Sequence, residues 1–416
     1  MKKKLKNLLG KKENKTLLEN FFSLSAIQVV SMVLPLITFP YIIRVIGLNN
    51  YGTIALALSL VTYFMSLVDF SFMITATRDV SLHRHSHRAL SLIYSRVMTI
   101  KFFFLMVSFA IIAAIILIYP PFYEERAVFF ICASTLLGHV LFPEWFFHGI
   151  EKMKFITIIK ISAQILFTIG IFLFIHKSSD YWIYPLLTSA GGLISGIIGQ
   201  VVLLNKYRLK FKVLSWQRVM ITIMGNSPIF YNQFLPTLYN NSSTFLLGFF
   251  VSPYLIGVYA AIRKIIDIAV VILGIFSRVF FPLINKKRSA FDFYKKVSIT
   301  VTFVGTGLIV LLHPLIFLYL NVEYKYDLLI LIFLSLSIIG LSMYDIYGLN
   351  YLIVRRQDKV VLRNTLFISV IGFLTAFPLL YFLGIIGASL NIFLSRSIMG
   401  LGVFLKYKSI KNDKVL

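Results

Sequence analysis

Apolar stretches long enough to cross a bilayer follow one another along this chain, and its positive charge collects in alternate gaps between them. A helix needs about 20 mostly apolar residues to span the hydrocarbon core. Twelve candidates can be read, at 20–45, 52–75, 97–119, 127–149, 155–176, 181–204, 221–250, 253–283, 297–320, 327–353, 361–381 and 385–405. A mean hydropathy of +0.86, with 58% hydrophobic and 14% charged residues, excludes an ordinary soluble domain. The expected fold is all-α, a polytopic membrane protein of about twelve transmembrane helices.

A formal net charge of +25 cannot be dispersed through hydrocarbon, so its placement is informative. The N-terminal segment holds Lys2, Lys3, Lys4, Lys6, Lys11, Lys12 and Lys15. The even-numbered gaps carry Arg78, Arg84, Arg88 and Arg96; Lys152 and Lys154; Lys206, Arg208, Lys210, Lys212 and Arg218; Lys286, Lys287, Arg288, Lys295 and Lys296; and Arg355, Arg356, Lys359 and Arg363. Lys406, Lys408, Lys411 and Lys414 close the chain. The opposite gaps hold only Arg126, Lys177 and Lys325, beside Glu124, Glu125, Asp180, Glu323 and Asp327. By the positive-inside rule both termini are expected in the cytoplasm. The basic segments then set orientation and touch anionic lipid headgroups; nucleic acid is not an expected partner. The first apolar run is too long for a signal peptide and lacks a small-x-small cleavage site, so it reads as a span. One cysteine, Cys132, rules out an intrachain disulfide. His83, His85 and His87 lack a companion carboxylate or cysteine pattern and read as a solvated loop rather than a metal site. No cofactor is expected, and the lack of a P-loop argues against direct use of ATP.

The longest basic gap divides the chain. Segments 1–19 (basic N-terminus), 20–204 (a six-helix lobe), 205–220 (linker), 221–405 (a second six-helix lobe) and 406–416 (tail) are the expected domains. Leu34–Pro35 precedes Gly47 by the interval at which Leu235–Pro236 precedes Gly248, and a G-x-x-A step follows each, at Gly52–Ala55 and Gly257–Ala260. That echo is either a trace of two lobes related about the membrane normal or a coincidence of common membrane residues. The outer gaps are short, leaving no extramembrane domain for catalysis, so a transporter is expected and not an enzyme.

Charges inside the spans mark where function is sought, because each costs on the order of 2.5–3.5 kcal/mol near the bilayer centre. They are Arg44, Lys101, Lys160, Arg263, Lys264, Arg278 and Arg396, with Asp69, Glu144, Asp267 and Asp345. Arg44, Arg278, Lys101, Lys160, Asp69 and Glu144 sit toward span ends, where snorkelling or mutual pairing competes with a functional reading. Arg263, Lys264, Asp267, Asp345 and Arg396 lie about 15 Å deep at 1.5 Å per residue. On span eight Arg263, Lys264, Asp267 and Arg278 share a stripe about 100° wide; an Arg263–Asp267 pair at i,i+4 is the structural alternative. Span seven carries an uncharged polar face of Asn226, Gln233, Thr237, Asn240 and Thr244, supplemented by Asn241, Ser242 and Ser243. This face either lines a water-filled path or bonds to a neighbouring helix. Amides and hydroxyls both donate and accept, as sugar hydroxyls require. Gly192 and Gly196 form a G-x-x-x-G read as close helix packing. More cations than anions beside an amide-rich wall favour an anionic, hydroxylated cargo held in a cationic central cavity.

Several stretches resemble the O-antigen flippases (Wzx type), the bacterial polysaccharide-transporter branch of the superfamily that includes the multidrug MATE exporters. They are LPLITFPYIIRVIGLNNYG (34–52), VDFSFMITATRDVS (68–81), FPEWFFHGIEKMK (142–154) and, more weakly, LYNNSS (238–243), GVYAAIRKI (257–265), DIYGLNYLI (345–353) and GIIGASLNIFLSR (384–396). Ser71 stands where the family usually has glycine, and His148 where it has glutamine. The resemblance implies a MATE-like fold of two lobes alternating between inward and outward openings. It also implies a flippase moving an undecaprenyl-pyrophosphate-linked oligosaccharide repeat to the periplasmic leaflet of the bacterial inner membrane. The expected partners are that lipid-linked oligosaccharide, membrane lipids and other polysaccharide-assembly proteins. Within that reading Arg263, Lys264, Arg396, Arg44, Lys101, Lys160 and Arg278 are candidates for the pyrophosphate. The span-seven face is the candidate for the glycan, and Asp69, Asp267 and Asp345 are candidates for ion coupling. The alternatives are an ion-coupled MATE-like exporter of small organic molecules, which predicts an acidic interior, and an O-antigen polymerase or ligase, which predicts a long outer loop.

Overall fold

The computed structural model describes residues 11–412; Lys2, Lys3, Lys4 and Lys6 of the basic N-terminal segment and Lys414 of the tail lie outside them. Every regular element among the described residues is helical. A helix satisfies its own backbone donors and acceptors, which an apolar medium cannot do for it. In chain order the helices are α1 (Lys11–Asp69), α2 (Phe72–Leu82), α3 (His87–Ile118), α4 (Pro120–Glu124), α5 (Arg126–Leu141), α6 (Glu144–Gly149) and α7 (Met153–Phe174). There follow α8 (Ile183–Val201), α9 (Trp216–Leu247), α10 (Pro253–Lys286), α11 (Ala290–Leu311), α12 (His313–Leu320), α13 (Asp327–Met343) and α14 (Asp358–Asn412). A π-helical stretch, Tyr344–Leu352, continues α13.

Nine helical stretches among the described residues are long and apolar enough to cross a membrane. Two of them are far too long for one crossing. α1 has 59 residues, roughly 88 Å at 1.5 Å per residue, against a hydrocarbon core about 30 Å thick. It breaks at Gly47, whose φ of 81° and ψ of 161° are non-helical. α14, with 55 residues, breaks in the same manner at Gly384, φ 53° and ψ −129°. A side chain at either position would be strained by the positive φ itself. The short connections expected at 46–51 and 382–384 are thus single-glycine breaks, and each long helix holds two passes. α9 is 32 residues long but carries too many amides and hydroxyls to be counted by hydropathy; with it, twelve passes are accounted for.

The span boundaries differ from expectation where chemistry other than hydropathy acts. The second pass ends at Asp69, not near 75, because Phe70 and Ser71 take left-handed conformations with φ of 39° and 61°. The fourth is interrupted at Phe142–Pro143, since proline cannot supply the donor that continuation requires. The third begins ten residues early, at His87, where the Ser86 hydroxyl accepts from the Ala89 amide and caps it. The ninth is split before His313–Pro314.

The chain forms two compact units, one gathering the residues up to Ile46 with Phe64–Tyr231, the other Gly47–Tyr63 with Asn232 onward. In the first unit, a Cβ on Gly138 of α5 would sit 2.3 Å from the Gly192 carbonyl carbon, so the G-x-x-x-G of α8 packs backbone to backbone as expected. The Asn205–Met220 segment is laid along α3: the Lys210 and Lys212 amides donate to the Ser91 and Ser95 hydroxyls at 3.2 and 2.9 Å. In the second unit, the two G-x-x-A steps meet. A Cβ on Gly52 would lie 1.8 Å from the Pro253 carbonyl oxygen, and one on Gly257 2.0 Å from that of Leu48.

Candidate functional site

Within the second unit the charged stripe of α10 is laid against the polar face of α9. The Arg263 guanidinium donates to the Asn240 carbonyl at 2.6 Å and to the Thr244 hydroxyl at 3.3 Å. Its Nε lies 3.7 Å from the Asp267 carboxylate one turn on. The i,i+4 pair with Asp267 is therefore present, and Arg263 reaches the α9 face as well. The Arg263 side chain is only 13% exposed while that of Asp267 is 46% exposed, so the pair presents its acidic end outward. Lys264 is half-buried on the same helix. No ion pair joins it to another described residue.

The polar face of α9 is graded. Gln233 is exposed, Asn226, Thr237 and Asn240 are half-buried, and Thr244 is 9% exposed. Thr237 and Asn240 also bond back to their own helix, to the Gln233 and Pro236 carbonyls. Pro236 supplies no amide at its position and lies in the turn that Asn240 bonds to. Arg396, on the second half of α14, is 5% exposed and donates to Ser337 at 3.1 Å. Arg278, further along α10, donates to the Gly274 carbonyl and is near enough to Asp345 to act on it electrostatically. The structure thus brings Arg263 together with Asn240 and Thr244, and places Arg396 in the packing of α13 against α14.

In the first unit two of the three cations expected near span ends, Lys101 and Lys160, are matched by acids. Lys101, 2% exposed, places its Nζ 3.0 Å from Asp69 Oδ1. The other Asp69 oxygen lies 2.8 Å from His139 Nε2. Lys160 Nζ is 2.6 Å from Glu144 and 5.3 Å above the Phe142 ring. His148 lies 3.8 Å from the second Glu144 oxygen, so it serves the same carboxylate. Arg44 is exposed.

Two of the quoted sequence stretches prove to be one packed substructure. The FPEWFFHGIEKMK stretch buries Trp145, Phe146 and Phe147 at 2% exposure or less. Its Gly149 abuts Val80, and the Trp145 carbonyl accepts from Thr77 at 3.1 Å. Both contacts fall on α2, the helix of the VDFSFMITATRDVS stretch. Ser71 in that stretch is left-handed, at φ 61°, a conformation that glycine adopts without strain.

Other polar groups escaped sequence reasoning. His139 carries no formal charge and so does not stand out among the intramembrane charges, although an intramembrane histidine is the same kind of signal. Asn350, fully buried, donates to Ser277 at 2.7 Å and Tyr294 at 3.1 Å. It belongs to the π-helical DIYGLNYLI stretch, a geometry frequent at functional sites. No sequence pattern announces a π-helix.

The comparisons with known proteins agree with this architecture. The sequence pattern of the polysaccharide biosynthesis protein family matches residues 17–287. The chain is 22% identical over 410 residues to a protein of Escherichia coli (strain K12) named "Putative O-antigen transporter", covering 96% of this chain and 98% of that one. A protein of the same name from Shigella dysenteriae is 23% identical, covering 94% and 100%. Among solved structures, the lipid II flippase MurJ in an inward closed conformation superposes with a TM-score of 0.69 at 14% identity, over 94% of this chain and 87% of that one. A MATE multidrug transporter in an inward-facing conformation gives 0.58 at 13% identity, over 93% and 97%. A match over well more than half of the chain, on an all-α multi-pass membrane architecture of the MATE kind, places it: this chain belongs to the polysaccharide biosynthesis protein family.

Proposed function

We propose that this protein is a flippase that carries undecaprenyl-pyrophosphate-linked O-antigen or related surface-polysaccharide repeat units from the cytoplasmic to the periplasmic leaflet of the bacterial inner membrane. Both of its termini lie in the cytoplasm. The observation that carries the reading is the junction of the α10 cations with the α9 polar face at Arg263, Asn240 and Thr244. It sets a group suited to an anionic phosphate beside groups suited to sugar hydroxyls. Family membership and the names of the curated relatives support an O-antigen or other polysaccharide-related cargo. Arg263 and Lys264 contact the pyrophosphate, Arg396 fixes the helices behind them, and the Gln233, Thr237 and Asn240 side chains contact the glycan. Asp267 and Asp345 are the acids positioned to exchange a proton with each transport cycle.

The test is genetic and chemical. In a strain lacking the protein, lipid-linked repeat units should accumulate on the cytoplasmic side, and the wild-type chain should clear them. Arg263→Ala should restore little export at wild-type abundance in the membrane. Export indistinguishable from wild type in Arg263→Ala and in Lys264→Ala would refute the cationic site.

A further inference from the structure

One buried amide ties together the π-helical stretch at the end of α13. Asn350 is 0% exposed. Its Nδ2 lies 2.7 Å from the Ser277 hydroxyl of α10, 3.1 Å from the Tyr294 hydroxyl of α11 and 3.0 Å from the Asp345 carbonyl in its own stretch. On an α-helix, residues five apart point about 140° away from each other at 100° per residue. The wider π turn sets i over i+5, and so brings the Asn350 side chain back onto the turn that carries Asp345. The orientation of the amide is fixed, because a backbone carbonyl only accepts and the nitrogen alone can donate to it. Asn350 Oδ1 is then left buried with no hydrogen-bond partner among the described residues, a costly arrangement for an acceptor. Asp345 itself is half-buried. The charged and titratable side chains that act on it are Arg278 of α10 and Tyr294 of α11; among the described residues α13 and α14 add none.

We infer that Asn350 is the positioning residue for Asp345: it fixes the turn on which the carboxyl stands, and its Oδ1 receives the O–H of the protonated acid. A carboxylate has only acceptors to offer and leaves Oδ1 as it is, whereas the acid carries the donor that Oδ1 lacks. The two protonation states therefore have different partners, Arg278 for the carboxylate and Asn350 for the acid. That gives the side chain two resting orientations. The proton arrives from water and returns to water, with no other co-reactant. A metal cation suits the place less well. Hard cations gather several oxygen ligands, and here the Ser277, Tyr294 and Asp345 carbonyl oxygens already face the Asn350 amide nitrogen. The inference rests on the reading of Asp345 as a proton-exchanging acid, and adds to it the group that holds the acid between exchanges.

Infrared difference spectra of the purified full-length protein, recorded as the pH is stepped, test it. The carboxylic C=O band that is lost in Asp345→Asn reports the protonated acid. In the wild type that band should stand where a hydrogen-bonded acid absorbs. In Asn350→Leu it should move to the position of an unbonded acid, and its pH midpoint should move to the acid side by roughly 0.5–1 pH unit, the worth of one neutral hydrogen bond. Loss of packing alone would lower the melting temperature and move neither. The wild-type band needs no substitution at 350, so it tests the bond even where the leucine variant does not fold. An unbonded wild-type band, the same band and midpoint in both proteins, or displacement of the band by sodium ion at fixed pH would overturn the inference. Wild-type export of repeat units by Asp345→Asn, with the spectra as expected, would keep the role of Asn350 and sink proton coupling. Export lost in Asp345→Asn, with band and midpoint indifferent to Asn350→Leu, would do the reverse.

Discussion

The Asp69–Lys101 pair should be more sensitive to loss of its acid than to loss of its base. Lys101 is 2% exposed, so removing its counter-charge leaves an ammonium with no water to turn to. Its remaining described contact is the His139 carbonyl at 3.5 Å, too long to replace a carboxylate at 3.0 Å. Breaking a buried pair this way costs about 3–5 kcal/mol, and Asp69→Asn should fall in that range. Lys101→Met keeps the shape of the side chain and strands Asp69 instead. That carboxylate is 38% exposed and retains His139 at 2.8 Å, so the loss is discounted to about 1–2 kcal/mol. The double variant Asp69→Asn/Lys101→Met strands neither charge and should recover about 2 kcal/mol relative to the sum of the singles. Thermal melts in detergent read this out, at roughly 2 °C per kcal/mol for a chain of this size. Asp69→Asn should melt roughly 6–10 °C below wild type, Lys101→Met about 2–4 °C below, and the double variant above Asp69→Asn. Additive shifts, or the opposite order of the two singles, would show that the pair is not the buried unit described. The same proteins also separate roles: a double variant that regains stability but not export would make the pair part of the transport cycle.

Three further outcomes are expected. Ser71→Gly should raise stability by about 0.5–1 kcal/mol, because it relieves the left-handed conformation at φ 61°; a destabilised variant would mean that the Ser71 hydroxyl bond to the Phe70 carbonyl outweighs the strain. Gly257→Ala should cost about 1–3 kcal/mol in a melt, since the added carbon would lie 2.0 Å from the Leu48 carbonyl oxygen, whereas Gly305→Ala, with open space around its Cα, should be harmless. In a Cys132→Ala background, a cysteine at Gln233 should react readily with a water-soluble maleimide and one at Thr244 slowly; the reverse order would mean that the α9 face is not graded as described.

Hydropathy and charge placement were enough for the class of fold, because they answer to the solvent and need no knowledge of neighbours. The passes at 155–176 and 253–283 appear as α7 and α10 with shifts of three residues or fewer. What hydropathy could not show was how passes are joined. Gly47 and Gly384 turn the chain without any polar loop, and nothing in composition separates such a glycine from one that merely packs. At Phe70–Ser71 the usual clue to a left-handed break, a glycine, is absent, so the break reads as continuous helix.

The intramembrane charges were legible as residues but not as partners. Periodicity on one helix predicts the Arg263–Asp267 pair, four residues apart, because both ends lie on the same surface. It cannot predict that Lys101 meets Asp69 across 32 positions or that Arg396 turns to Ser337 across 59, since those depend on which helices adjoin. Arg396 is the instructive case. Depth makes it a candidate binding group, and at 5% exposure its guanidinium donates to Ser337 of α13. Arg263, nearly as deep, ends on the polar face of α9 with an exposed carboxylate beside it. Depth in the bilayer marks which charges need an explanation; the neighbouring helix decides whether that explanation is cargo or packing.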